Sequence, residues 1–197
     1  SFRIVREDGS IELERAISPG YPPGEWSEGQ YVRLKGEVSL PADAPSGRYL
    51  AAIPLADGRT VEVGEVSLKD VQRIFEAPIE ATLSSVTFGD VAQLVGFEIE
   101  PADPRAGGQL SLRLVWRALE PTSISYRVFV HVAGPDLRPQ AQADAEPQQR
   151  QRPTSGWQPG EYIDDRYDIV LPSDLPVGEY QILVGMYEPA SGQRLSA

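Results

Sequence analysis

The sequence predicts an all-β chain of tandem antiparallel β-sandwiches, and three observations predict it. Apolar residues recur at every second position along much of the chain, the period of a half-buried strand. Glycine and proline, 18 of each in 197 residues, make up about 18% of the chain against roughly 12% in average usage. Both break helix interiors, which disfavours a helical bundle. Finally, a 24-residue segment occurs twice without gaps at an offset of 131, the mark of an internal repeat.

The strands follow in order. Phe2-Arg3-Ile4-Val5 opens the chain in what reads as mid-strand, as in a fragment of a longer protein. Tyr49 to Leu55 and Arg59 to Leu68 flank Asp57-Gly58, a dipeptide suited to a tight hairpin turn. Ser67 to Ala77 alone carries helical spacing, at Leu68, Val71, Ile74 and Phe75. It reads either as a short linker helix or as a final strand with an extended connection, closed in both cases by Pro78. Gln109 to Ala118 puts Leu110, Leu112, Leu114 and Trp116 on one face, with Val115 as an exception on the other. Ile124 to Val132 does the same with Tyr126, Val128, Val130 and Val132, and Gly178 to Tyr187 with Tyr180, Ile182, Val184 and Met186. Ser18 to Gly29 and Pro135 to Gly160, rich in Pro, Gly and Gln, read as long loops.

The repeat runs from Trp26 to Tyr49 and from Trp157 to Tyr180. Nine of 24 positions are identical, pairing Trp26 with Trp157, Gly29 with Gly160, Tyr31 with Tyr162, Leu40-Pro41 with Leu171-Pro172, Asp43 with Asp174, Pro45 with Pro176, Gly47 with Gly178 and Tyr49 with Tyr180. In each copy Leu-Pro ends a strand, because Pro cannot donate to a ladder. Asp-x-Pro-x-Gly then makes a corner, and Gly-x-Tyr starts the next strand. This resembles the tyrosine corner of immunoglobulin-like sandwiches, where a Tyr hydroxyl bonds back to the upstream backbone. Asp43, Gly47, Tyr49, Asp174, Gly178 and Tyr180 are thus read as structural. Phe2 to Val5 resembles Tyr126 to Phe129, so the first copy begins at a strand that lies deep inside the second. The second copy ends before the counterpart of Thr60 to Val66. The expected fold is two tandem immunoglobulin-like sandwiches: a partial repeat over 1–68 lacking its opening strands, a linker over 69–80, and a repeat over 81–197 lacking its last strand.

Composition narrows the function. A net charge of −11 repels phosphate backbones and anionic bilayers. The absence of cysteine excludes disulfides, Cys-zinc sites and Cys nucleophiles. No apolar run approaches the ~20 residues of a membrane helix. His131, the single histidine, alternates away from Val130 and Val132 beside Phe129, has no nucleophile at readable spacing, and reads as a packing residue. Asp164, Asp165 and Asp168, with Asp144 and Glu161, form an acidic cluster. Asp164 and Asp165 are weak candidates for a hard cation, but no loop has calcium-binding spacing and charge runs are mostly solvated faces. Paired carboxylates for glycoside hydrolysis need a separation across a cleft that sequence does not give. Trp157 with Tyr162, and Trp26 with Tyr31, are candidate sugar-stacking pairs, although packing loops onto a sandwich explains their recurrence better. No catalytic residue and no cofactor is expected.

The second copy carries a longer pattern: Phe129-Val130-His131-Val132, Gln142-Ala143-Asp144, Pro153-Thr154-Ser155-Gly156-Trp157, Asp165-x-Tyr167, Leu171-Pro172, Gly178-x-Tyr180 and Tyr187-Glu188-Pro189-x-x-Gly192-x-Arg194-Leu195. It resembles the extracytoplasmic β-sandwich regions of bacterial multi-pass membrane proteins of the mannosyltransferase-like glycosyltransferase type, well over about 85 to 197 and partly over 1 to 66. The resemblance implies an extracytoplasmic bacterial location and a non-catalytic accessory or interaction module, the catalytic machinery of such proteins lying in their membrane portion. The alternative is a carbohydrate-binding module using the Trp/Tyr pairs. The expected partners are a glycan or another protein meeting an exposed sheet edge, a homodimer by edge pairing included; nucleic acid and direct membrane insertion are not expected.

Overall fold

In a computed structural model of the chain, the structure describes residues 1–16, 23–33, 40–41, 44–55, 57–69, 71–78 and 82–197. It is all-β, with eleven described strands in three antiparallel sheets and only short 3₁₀ turns besides. It divides into two compact units, Ser1–Gln72 and Arg73–Ala197.

Unit 1 is one four-stranded sheet in the order β2-β1-β3-β4, with β1 Phe2–Arg6, β2 Ile11–Arg15, β3 Gly47–Pro54 and β4 Thr60–Leu68. The Asp57-Gly58 turn joins β3 to β4 as the dipeptide predicts. Gly58 sits at φ +85°, where a side chain would be strained, and the turn closes with a Leu55 N–H to Arg59 carbonyl bond of 2.7 Å. Ile4, Tyr49 and Ala51 are buried, with Phe2, Leu13, Leu40 and Leu68 packed beside them. β4 is exposed from Thr60 to Ser67, Val61, Val63 and Val66 included.

Unit 2 holds two sheets that bury one core. One has the order β10-β7-β6-β5, with β5 Thr82–Phe88, β6 Ala92–Glu100, β7 Gln109–Ala118 and β10 Tyr162–Val170. The other has the order β11-β8-β9, with β8 Arg127–Ala133, β9 Pro139–Ala145 and β11 Gln181–Tyr187. The inward faces are those the alternation predicts: Leu110, Leu112, Leu114 and Trp116 from β7 meet Val128, Val130 and Val132 from β8 and Met186 from β11. Phe88 meets Trp116 edge-on at 5.4 Å. Two readings need correction. The expected loop Pro135 to Gly160 contains β9, an edge strand whose Ala141, Ala143 and Ala145 are half-buried against β8. And 73–78 belongs to unit 2 rather than to a linker, with neither helix nor long strand: the Ile74 carbonyl accepts from the Tyr162 N–H at 2.7 Å, and Arg73 pairs with Glu161.

One close approach locks the outer face of β8 against β11. The Phe129 ring lies across Gly185 so closely that a Cβ there would sit 2.2 Å from the ring, and the Arg194 guanidinium stacks 4.5 Å above the ring centroid. Gly185→Ala is expected to cost about 1–3 kcal/mol in urea unfolding. The loss should shrink when Phe129 is also truncated to alanine, since the clash then has no partner. A Gly185→Ala protein as stable as the parent would mean that the ring moves aside freely.

Candidate functional site

The Trp-x-x-Gly-x-Tyr loops are built the same way in both units. Each follows a 3₁₀ turn, Pro23–Glu25 or Thr154–Gly156. The residue after the Trp donates its N–H to the side chain three positions on, Ser27 to Gln30 Oε1 and Gln158 to Glu161 Oε2, both at 3.0 Å. Gly29 and Gly160 take φ of +82° and +81°. At the corners that follow, Ala44 donates to the Pro41 carbonyl at 3.0 Å and Leu175 to the Pro172 carbonyl at 3.2 Å. Tyr49 donates its hydroxyl to the Pro45 carbonyl at 2.5 Å, and Tyr180 to that of Pro176 at 2.8 Å. Gly47 reaches φ +153°, whereas Gly178 has no positive φ. Asp174 is exposed; its counterpart Asp43 lies outside the described residues.

The four aromatic candidates part company. Trp157 is buried in the core at 3% exposure, its indole N–H donating to the Arg152 carbonyl at 2.8 Å. A buried indole presents no face to a sugar, which corrects the stacking reading at this position. Tyr162 is half-buried, with its backbone pinned to Ile74. Trp26 is 41% exposed and Tyr31 fully so.

The acidic cluster is occupied by structural work. Asp164 and Asp165 are neighbours on β10 and face opposite sides of it, so they do not converge on one cation. Asp164 receives Arg113 through two nitrogens, Nε at 2.9 Å and Nη2 at 2.8 Å, and that pairing holds the Arg113 guanidinium above its ordinary pKa. Asp165, 1% exposed, accepts from the Gln148 N–H at 2.8 Å, the Tyr167 hydroxyl at 2.7 Å and the Trp116 indole at 3.3 Å. Burial pushes its carboxyl up, and burial with the nearby Asp165 charge pushes the Tyr167 hydroxyl up. Asp168 is held low by the Ser111 hydroxyl at 2.5 Å. His131 Nε2 lies 3.7 Å from Asp144, its ring 4.8 Å from that of Phe129. Among the described residues no cluster of three or more ligating side chains could hold a metal ion.

Glu161, fully buried, is the centre of the Trp157 loop. Its carboxylate takes Arg73 Nη1 at 2.7 Å, Arg152 Nη2 and the Gln158 N–H, while Arg73 also reaches the Gly156 carbonyl at 3.1 Å. Thr154, also buried, bridges to Ile124 and Tyr126. The loop is therefore fastened to two distant parts of the unit, and sequence spacing gives no sign of Arg73 as a partner 88 residues away.

Among the described residues of unit 2 a groove opens between its two sheets. A cavity of about 520 Å³ lies under Asp103, Arg105 and the Leu171–Tyr180 corner, with Leu110 and Val132 at its base. A second of about 210 Å³ lies between Val86, Phe88 and Phe97 on one side and Val184 on the other. Ile99 and Ile182 line both, so the two run on from one another beside β11. Among the described residues no helix is long and apolar enough to cross a membrane. No family model and no curated protein matches this chain.

Proposed function

We propose that this chain is a non-catalytic interaction module of the bacterial cell exterior, made of two related immunoglobulin-like repeats. The module belongs to a larger membrane-anchored protein of the mannosyltransferase-like type. The observation that carries the binding role is the disposition of buried charge: Glu161 and Asp165 are each ringed by donors that hold loops, whereas apolar strand and groove surface lies open. The relation between the repeats is supported by the recurring Trp loops and Tyr–Pro corners. It is supported too by the strand order, in which β1 carries β2 and β3 on its two edges as β8 carries β9 and β11.

The exposure of Tyr31, and in part of Trp26, favours a second reading in which the first Trp/Tyr pair binds a carbohydrate. One experiment separates the two. A photo-crosslinking residue is placed at Val63 or at Tyr31 in the protein made in its own host. A discrete polypeptide adduct from Val63 is expected. A polysaccharide adduct from Tyr31 alone would replace the protein-binding reading with the carbohydrate one. No adduct from either, with turnover of a glycoside or activated-sugar substrate by the purified chain, would overturn both.

A further inference from the structure

We propose that the Pro147–Arg152 turn is a latch that ties the protonation state of Asp165 to closure of the Trp157 loop. The inference does not depend on what the module binds.

The turn is held in an unfavourable shape. Gln148, Gln149 and Arg150 follow one another at φ of 49°, 53° and 75°, the left-handed region that L side chains rarely adopt. None of the three is Gly or Asn, the residues that enter it most readily. Such strain persists where the surroundings over-determine it. Here Gln148 is tied twice to β10: its N–H donates to Asp165 Oδ1 and its side-chain amide to the Asp164 carbonyl, both at 2.8 Å. The turn also closes on itself. Arg150 donates its N–H to the Glu146 carbonyl at 3.2 Å, Gln151 to that of Gln148 at 3.1 Å and Arg152 to that of Pro147 at 3.2 Å. At the far end, the Arg152 carbonyl accepts from the Trp157 indole at 2.8 Å, and the Arg152 guanidinium holds Glu161. One short segment thus joins two buried carboxylates, Asp165 and Glu161, that belong to separate sets of hydrogen bonds.

The donors around Asp165 differ in what can withdraw them. Trp116 and Tyr167 stand in the paired strands β7 and β10, where they move only with the sheet. The Gln148 N–H sits in a turn, which opens locally. Opening relaxes the left-handed run and admits water to a carboxyl whose proton burial retains. The closed turn therefore binds that proton more tightly than the open one. By linkage, closure is strongest in acid and weakens as pH rises through the closed-state value. The charges acting nearby are Asp164, across β10 from Asp165, and Asp144 of β9, which acts on Tyr167. Both are acidic, and repulsion among carboxylates works in the same direction. Because the Arg152 N–H closes the turn on Pro147, opening carries Arg152 away from Trp157 and Glu161 together.

The test reads the tryptophans of the whole chain by NMR of isotope-labelled indoles. Trp116 reports Asp165 directly, and Trp157 reports the Arg152 carbonyl. From about pH 4 to about pH 7 the two resonances should shift with one midpoint. In Asp165→Asn the Trp157 step should vanish. Gln149 is exposed, so Gln149→Gly keeps the fold. Glycine takes φ 53° freely, which favours the closed turn, and the Trp157 midpoint should rise by about half a pH unit or more. A shift at Trp116 with none at Trp157, a Trp157 step that survives Asp165→Asn, or a midpoint that Gln149→Gly leaves in place overturns the proposal. So does the absence of a step at both indoles.

Discussion

Replacing Glu161 by alanine is expected to destabilise the protein by about 3–5 kcal/mol in urea unfolding. The size follows from what stays behind. Arg73 and Arg152, with side chains only 19% and 12% exposed, would face each other across the space the carboxylate filled. The Gln158 N–H would lose its acceptor as well. Glu161→Gln keeps acceptor oxygen and shape and loses only the charge, so it should fall between alanine and the parent. Removing both signs together should cost less than the single change suggests, because an uncompensated buried charge is worse than an apolar replacement of the set. Glu161→Leu combined with Arg152→Met is therefore expected to recover part of the loss. If Glu161→Ala costs less than about 1 kcal/mol, the value of an exposed pair, the cluster is effectively solvated and something else holds the Trp157 loop.

That loop shows where sequence reading reached and where it stopped. Strands with an unbroken apolar face at every second position, such as Leu110 to Trp116 and Val128 to Val132, were legible, because a period of two assigns each side chain a face before any partner is known. The corners were legible too, since Leu-Pro and Gly-x-Tyr restrict the backbone locally. β9 escaped because its sequence, PQAQADA, buries only alanines on an edge, and alanine alternation is a faint signal. The ion cluster escaped because Arg73 and Glu161 meet only through tertiary packing. Least legible was the fate of the tryptophans. Trp26 and Trp157 share loop geometry and spacing, yet one is 41% exposed and the other 3%. Trp157 sits in a core closed by two sheets, whereas the described strands of unit 1 form a single sheet. A repeated motif fixes local conformation; burial depends on the layer that packs against it.

Asp165 carries the other large expected effect, and its sign is the reverse of the usual carboxylate. Its donors pull the pKa down, but burial raises it by more, so the folded chain holds this proton more tightly than the unfolded chain does. Its titration therefore adds stability that is fully present below the unfolded pKa near 3.9 and is lost as pH rises through the higher folded value. Asp8, Glu14, Glu65 and Asp168 are held low by hydrogen bonds and act oppositely, their contributions fading as pH falls. The whole-protein curve mixes both signs, so the informative quantity is the difference between wild type and Asp165→Asn. It should move against the wild type as pH rises from about 4 to about 7. Asp165→Ala is the more severe change. It leaves the Trp116 indole, the Tyr167 hydroxyl and the Gln148 N–H without their acceptor, at about 1–3 kcal/mol for each group left unsatisfied. It also frees a strained turn: Gln148, Gln149 and Arg150 sit at φ of 49°, 53° and 75°, a left-handed run costing roughly 1–2 kcal/mol per residue that the Gln148–Asp165 bond helps to hold. Trypsin should then cut the Asp165→Ala chain after Arg150 well before the parent. A flat difference curve together with unchanged cleavage at Arg150 would mean that Asp165 anchors neither the core donors nor the turn.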